Sequence, residues 1–132
     1  MDSKIHRPTI LIADDYDDNR ELLRVLLTPK YDVQEANNGL VCLEMAREQQ
    51  PDLIMVDLSM PGLDGWGLLL ELKGDVKTAK IPCVAVTAHG ESDRQRALAA
   101  GFDGYLSKPF RSSELFEIVS KLISSVPQTE LC

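Results

Sequence analysis

Long apolar runs, basic charge and paired cysteines are all scarce in this sequence. No stretch approaches the roughly 18 consecutive apolar residues that a membrane span needs. Asp and Glu number 21 against 14 Lys and Arg, a formal net charge of -7. Because phosphates repel an acidic protein, neither nucleic acid nor a membrane is expected as a direct partner. The three cysteines, Cys42, Cys83 and Cys132, fit no zinc-site spacing and favour the reducing cytoplasm as the compartment.

The length of 132 residues suits one domain. The N-terminal segment Met1–Pro8 is polar and lacks the apolar core of a secretory signal. We expect a flexible tail over residues 1–8, a folded domain over residues 9–125 and a second tail over residues 126–132. A stand-alone protein is the expectation, and a fragment of a longer protein is the alternative.

Apolar segments rich in β-branched residues alternate with amphipathic helical stretches. The first, third and fourth apolar segments have no polar face, which is typical of strands covered by helices on both sides. The order predicts an α/β fold of the (βα)5 type, with a doubly wound parallel sheet. The predicted strands are Thr9–Ala13, Tyr31–Glu35, Leu53–Val56, Cys83–Val86 and Gly104–Leu106.

Capping and helix-breaking residues predict where the helices begin and end. Asp17 or Asp18 is the expected N-cap of the first helix, and Asp64 is expected only to cap or turn. The first four helices are predicted to end before Pro29, before Pro51, near Gly74 and at Gly101, and the fifth to start near Ser112.

Reactive side chains follow four of the predicted strands, at the edge where parallel sheets bind ligands. They are Asp14 and Asp15, Asp57, Thr87, and Lys108. Clustered carboxylates repel one another unless cations lie among them, and oxygen ligands favour a hard ion such as magnesium. A carboxylate can also attack phosphorus. We interpret Asp57 as the nucleophile, Asp14 and Asp15 as metal ligands, and Lys108 and Thr87 as contacts to phosphoryl oxygens.

These motifs together resemble the receiver domain of response regulators in two-component signalling, of the single-domain chemotaxis-regulator type. The resemblance runs from about Thr9 to Ile123 and rests on ILIADDYDDNR, DLIMVDLSMPGLDG, VTAHG and AAGFDGYLSKPF. It implies a flavodoxin-like fold with a five-stranded sheet of order 2-1-3-4-5. It also implies a cis peptide bond between Lys108 and Pro109.

The resemblance further implies that Asp57 accepts a phosphoryl group from a histidine kinase or a phosphotransfer protein. Mg²⁺ (or Mn²⁺) would be held by Asp15, Asp57 and the backbone carbonyl of Ser59, with Asp14 close by. Such a domain is not a conventional enzyme, because it catalyses only its own phosphorylation and dephosphorylation.

The same resemblance predicts how the signal leaves the site. Thr87 would sense the phosphoryl group and Tyr105 would turn inward in response. A downstream protein would dock on the face formed by the fourth helix, fifth strand and fifth helix, which includes Ala99, Tyr105 and Glu114. The two positions that vary and tune the phosphoryl lifetime are Ser59 and His89.

Three other functions stay open. A metal-dependent phosphatase similar to haloacid dehalogenases would usually carry an acid where Ser59 stands. A flavin carrier on the same fold would need a loop after the first strand that does not repel phosphate, whereas this loop is acidic. A degenerate receiver would bind partners without phosphorylation. The complete set of pocket residues counts against this alternative.

Two further residues near the site are expected to have no functional role. Trp66 is expected to pack against the third helix, and Arg111 to be a solvated loop residue.

Overall fold

Five parallel strands form one sheet in the computed structural model, which describes residues 7–88 and 91–124. The strand order is β2-β1-β3-β4-β5, as predicted. The strands are β1 Thr9–Ala13, β2 Asp32–Ala36, β3 Leu53–Asp57, β4 Cys83–Thr87 and β5 Gly104–Ser107. The helices are α1 Asp17–Leu27, α2 Gly39–Gln49, α3 Gly65–Lys73, α4 Glu91–Ala100 and α5 Ser112–Ser124.

Two apolar clusters cover the two faces of the sheet. On β1, Leu11 and Ala13 belong to the cluster that contains residues of α2, α3 and α4. Ile10 and Ile12 point the other way, into the cluster with residues of α1 and α5. Because successive side chains of a strand alternate between faces, a strand that is apolar at every position is buried on both sides. This confirms the predicted doubly wound arrangement.

Several predicted boundaries move by one residue. Strand β2 begins at Asp32 rather than Tyr31, because the Tyr31 amide donates to the carbonyl of Leu27, 2.9 Å away, and so closes the end of α1. Strands β3, β4 and β5 each extend one residue further than predicted, and their register pairs Asp57 with Val86 and Thr87 with Ser107. Strands β3 and β4 therefore end on the reactive residues Asp57 and Thr87 rather than before them.

The expected N-cap of α1 was wrong. The cap is Tyr16, whose backbone is extended, and Asp17 and Asp18 lie in the first helical turn. The Tyr16 amide donates to the carboxylate of Asp14 at 2.9 Å, which holds the chain in an extended turn just before the helix. Acidic residues in the first turn still favour the helix through its dipole.

The expected cap and end of the third helix are confirmed, and so is the expected cis peptide bond. Asp64 caps α3 by accepting from the Gly67 amide at 2.9 Å, and Gly74 is the C-cap of that helix. The peptide bond between Lys108 and Pro109 is cis, as the resemblance implied.

Residues 1–6 of the first predicted tail and the whole second predicted tail, residues 126–132, lie outside the described part of the chain, as does residue 125 of the predicted domain. Arg7 and Pro8 contact the domain: the Arg7 guanidinium donates to the carbonyl of Tyr31 at 2.8 Å, and the Pro8 carbonyl accepts from the Asp32 amide at 2.9 Å. Within the described residues, no helix has both the length and the apolar character needed to cross a membrane.

Candidate functional site

Three carboxylates meet at the carboxyl ends of β1 and β3. One oxygen each of Asp14, Asp15 and Asp57 lies within 4.8 Å of the other two. The sheet brings them together because β1 and β3 are neighbours, and Ala13 pairs with Val56 in the register just before the acids. Asp14 and Asp57 are buried, whereas Asp15 is half-buried. The structure therefore assembles the acidic cluster that the strand-end pattern predicted.

Asp14 is held from three sides. Its amide donates to the carbonyl of Ala36 at 3.1 Å, its Oδ1 accepts from the Tyr16 amide, and its Oδ2 lies 3.5 Å from the ammonium nitrogen of Lys108. Burial raises the pKa of the Asp14 carboxyl above its ordinary value. The Tyr16 amide and Lys108 act in the opposite sense, while the charge of Asp57 adds to the rise. In this cluster, one lysine does not offset the repulsion and desolvation of the acids.

Asp57 is the last residue of β3, and its side chain is oriented by Ser59. Its Oδ1 accepts from both the amide and the hydroxyl of Ser59, each at 3.2 Å. The Leu58 amide donates to the carbonyl of Val86 at 3.2 Å, which continues the pairing with β4 past the acid. Asp57 is thus fixed by the sheet on one side and by the following loop on the other.

Thr87 and Lys108 close the site from β4 and β5. The Lys108 amide donates to the carbonyl of Thr87 at 2.8 Å, so the two strand ends are joined through their backbones. Thr87 is 1% exposed. The register pairs Thr87 with Ser107 and Ala85 with Tyr105, which places Thr87 and Tyr105 on the same face of the sheet. His89 lies outside the described residues.

Arg20 is a residue near the site to which the sequence pattern assigned no role. Its Nη1 donates to the backbone carbonyl of Asp14 at 2.7 Å, and its Nε donates to Oε1 of Glu35 at 3.0 Å. The only signal in the sequence is its place in the motif ILIADDYDDNR. Inside an amphipathic helix such an arginine is expected on the solvated face, so periodicity alone does not reveal it.

Trp66 does pack, but not against the third helix as expected, because it lies within α3 itself and contacts other elements. Its ring meets that of Phe102 edge-on, with centroids 6.1 Å apart, and the guanidinium carbon of Arg96 lies 4.8 Å from its centroid. These contacts join α3 to α4 and to the segment before β5. The Arg111 amide donates to the carboxylate of Glu114 at 2.8 Å at the start of α5, and the Arg111 side chain is exposed, as expected.

The residues of the cluster fit a small divalent cation. The donors are carboxylate oxygens, which hard ions such as Mg²⁺ prefer. Burial, with the charge of Asp57 adding to it, raises the pKa of Asp14, and a bound cation would lower that pKa.

Comparisons with known proteins agree with this geometry. The family described as "Response regulator receiver domain" matches residues 10–120. The response regulator PleD of Caulobacter vibrioides is 40% identical over 115 residues, which cover 86% of this chain but only 25% of that protein. The chemotaxis protein CheY of Halobacterium salinarum is 34% identical over 88% of this chain and 97% of its own length.

A solved structure shares the fold. The receiver domain of the sensor histidine kinase PA1611 from Pseudomonas aeruginosa has a TM-score of 0.83 and 30% sequence identity, covering 90% of this chain and 99% of that one. That structure has a magnesium ion coordinated in its active-site cleft. Receiver domains interact with histidine kinases or phosphotransfer proteins. The chain belongs to the response-regulator receiver domains of two-component signalling.

Proposed function

We propose that Asp57 accepts a phosphoryl group from a histidine kinase or a phosphotransfer protein, and that the phosphorylated domain then changes its binding to a downstream protein. The observation that carries the proposal is the approach of the Asp14, Asp15 and Asp57 carboxylates to within 4.8 Å of one another. The match to 97% of the length of a chemotaxis protein supports a regulator that acts through the receiver domain itself, and the proposal places it in the cytoplasm.

The reaction needs a carboxylate nucleophile and positioned charge. A carboxylate oxygen of Asp57 attacks the phosphorus of a phosphohistidine, a new P–O bond forms and the P–N bond breaks. The leaving imidazole nitrogen keeps the electron pair, and Asp57 becomes an acyl phosphate. The hydrogen bonds from Ser59 to Oδ1 fix the plane of the carboxylate, so that it faces an incoming donor without reorganisation.

Asp14, Asp15, Asp57 and the backbone carbonyl of Ser59 would hold Mg²⁺ (or Mn²⁺). The bound ion would neutralise charge on the transferring phosphoryl group. Lys108 supplies a further cation, because its ammonium already lies 3.5 Å from the carboxylate of Asp14. In the proposal it binds a phosphoryl oxygen, and the hydroxyl of Thr87 binds another.

The response would pass from Thr87 to Tyr105. Their shared face of the sheet supports this coupling, since a shift of Thr87 changes the space above its diagonal neighbour. Tyr105 is half-buried and lies in a groove of about 440 Å³ between α4 and α5, which Glu114 also lines. This groove supports the face of α4, β5 and α5, including Ala99, as the surface where a downstream protein docks. Ser59 and His89 would set how long the phosphoryl group lasts.

The test is phosphorylation with a small donor. The protein is incubated with acetyl phosphate, with and without Mg²⁺, and its intact mass is measured. A gain of one phosphoryl group that needs Mg²⁺ and is absent in Asp57→Asn supports the proposal. Asp64→Asn is the matched control, because it removes an acid from the same edge while asparagine still caps α3. Absence of any mass gain in the unaltered protein would favour the degenerate receiver instead.

A further inference from the structure

Arg20 links the backbone of Asp14 to the edge strand β2. Its side chain is only 13% exposed, and the donors of its guanidinium reach three partners. Nη1 donates to the Asp14 carbonyl at 2.7 Å, Nε donates to Glu35 at 3.0 Å, and Nη2 donates to Asp17. A guanidinium is planar with donors in a fixed fork, so three simultaneous contacts determine the position of each partner relative to the others.

The bond to the Asp14 carbonyl bears directly on the proposed metal site. That carbonyl belongs to the peptide unit between Asp14 and Asp15, which supply two of the three clustered carboxylates. Because a peptide unit is planar, holding its oxygen sets the direction in which the chain leaves Asp14 and enters Asp15. The Asp14 amide is held in turn by the Ala36 carbonyl. The backbone of Asp14 is therefore fixed on both sides.

Glu35 anchors Arg20 from the edge strand. It lies on β2, where it pairs in register with Ile12 of β1. Oε1 of Glu35 accepts from Arg20, while Oε2 lies 3.0 Å from Nε of Arg24, one helical turn further along α1. Each carboxylate oxygen thus faces one guanidinium. We call Arg20 and Glu35 together the Arg20–Glu35 clamp.

We infer that the Arg20–Glu35 clamp positions the Asp14–Asp15 peptide so that both carboxylates face Asp57, and that it thereby sets the affinity of this site for a divalent cation. This inference rests on the proposed function, since it concerns the same acidic cluster. Arg20 acts through Asp14 and is a positioning residue. Residues that orient metal ligands from outside commonly affect metal affinity by 10- to 100-fold.

Replacing Arg20 separates positioning from simple electrostatics, because the two effects predict opposite changes in the affinity of the site for a cation. Replacing Arg20 by glutamine removes a positive charge close to the cluster, and Coulomb's law alone predicts tighter cation binding. Loss of the clamp predicts weaker binding, because the Asp14–Asp15 peptide becomes free to turn. Arg24→Gln is the matched control: it removes the same charge from the same helix and the same partner, Glu35, but one turn further from Asp14.

The experiment is a calorimetric titration of Mg²⁺ into the unaltered protein, Arg20→Gln, Arg20→Lys and Arg24→Gln. Thermal unfolding in a chelator is measured alongside. We expect Arg20→Gln to weaken Mg²⁺ binding by roughly tenfold, Arg20→Lys to recover part of the loss, and Arg24→Gln to bind as well as or better than the unaltered protein.

Two results would overturn the inference while leaving the metal site intact. One is a lower unfolding temperature for Arg20→Gln with unchanged or tighter Mg²⁺ binding, which would make Arg20 a purely structural link. The other is equal weakening in Arg20→Gln and Arg24→Gln, which would trace the effect to general loosening of α1 against β2. If the unaltered protein itself binds no Mg²⁺, that result contradicts the proposed metal site, and the inferred role of the Arg20–Glu35 clamp is overturned with it.

Discussion

Nζ of Lys108 lies 3.5 Å from Oδ2 of Asp14, and this ion pair joins the end of β5 to the end of β1 across the acidic cluster. Asp14 is almost fully buried, while the side chain of Lys108 is 24% exposed. A buried carboxylate beside two other acids is stable only with a nearby cation or a bound proton. The pair therefore makes the charge state of the cluster sensitive to Lys108.

Lys108→Ala is expected to keep the fold and to change the site. The fold persists because the hydrogen bond from residue 108 to the Thr87 carbonyl is a backbone bond. Mg²⁺ affinity should rise severalfold, since a positive charge next to the cation is removed. The response of Tyr105 to beryllofluoride, a phosphoryl mimic, should be impaired, which NMR of the tyrosine ring can follow.

The matched control for this prediction is Lys30→Ala. Lys30 is exposed and lies at the other end of the domain, just before β2. Its replacement should leave both Mg²⁺ affinity and the tyrosine response unchanged. Loss of the circular-dichroism signal in Lys108→Ala, but not in Lys30→Ala, would show that Lys108 is needed for folding itself.

Asp14→Asn is expected to stabilise the metal-free protein at neutral pH. The pKa of Asp14 is raised in the folded state, chiefly by burial. The folded state then binds the proton more tightly than the unfolded state, so stability is lost as pH rises through the folded pKa. Asparagine is neutral at every pH, and its Oδ1 can still accept from the Tyr16 amide. The Asp14→Asn protein should therefore not lose stability in this way as the pH rises.

The measurement is urea unfolding in a chelator across a range of pH. The gain in the free energy of unfolding should be present at neutral pH, shrink as the pH falls through the raised pKa of Asp14 in the folded state, and be absent below the ordinary pKa of an aspartate. Asp18→Asn removes the same charge from an exposed position in α1 and should give no such gain. A metal-free Asp14→Asn protein that is less stable at neutral pH would show that the pair with Lys108 outweighs the burial of Asp14.

The architecture and the position of the cluster could be predicted because each follows from short-range pattern. Strands without a polar face require helices on both sides, and parallel strands bring their carboxyl ends to one edge. Asp14, Asp15 and Asp57 each follow or end such a strand, so their meeting depends on topology rather than on details of packing.

The remaining features depend on contacts between distant residues. The N-cap of α1 is Tyr16 because the carboxylate of Asp14 holds the turn before the helix, which a preference for aspartate caps does not reveal. The contact between Arg20 and Glu35 spans 15 residues and exists only once α1 packs beside β2. A sequence pattern shows that Arg20 lies on a helix, but not which carbonyl it reaches.

The thiols of Cys42 and Cys83 are expected to be unreactive in the folded protein. Both are fully buried, and burial raises the pKa of each to about 12. The reactive thiolate is therefore scarce at neutral pH, and the packing around it excludes reagents. In a Cys132→Ser background, neither thiol should react with an aromatic disulfide reagent until denaturant is added, after which both should react. Rapid modification of the native protein would contradict this burial.

Gly65→Ala is expected to damage both stability and the site, whereas Gly67→Ala is tolerated. A Cβ at residue 65 would lie 2.7 Å from Cα of Leu58 and 2.9 Å from the carbonyl oxygen of Asp57. These are backbone atoms at the end of β3, so the strand end itself must shift. Overpacking of this kind costs about 1–3 kcal/mol, and the shift should weaken Mg²⁺ binding as well.

Gly67 is the control in the same helical turn. A Cβ there would meet Cδ1 of Leu63 at 2.9 Å, the flexible end of a half-buried side chain that can rotate away. Alanine is favoured over glycine in a helix by up to about 1 kcal/mol. In denaturant unfolding, the free energy of unfolding of Gly67→Ala should therefore equal or exceed that of the unaltered protein, whereas that of Gly65→Ala should be well below it. Equal stability of the two variants would mean that α3 can move away from β3, and that its close approach to Asp57 does not determine the geometry of the acidic cluster.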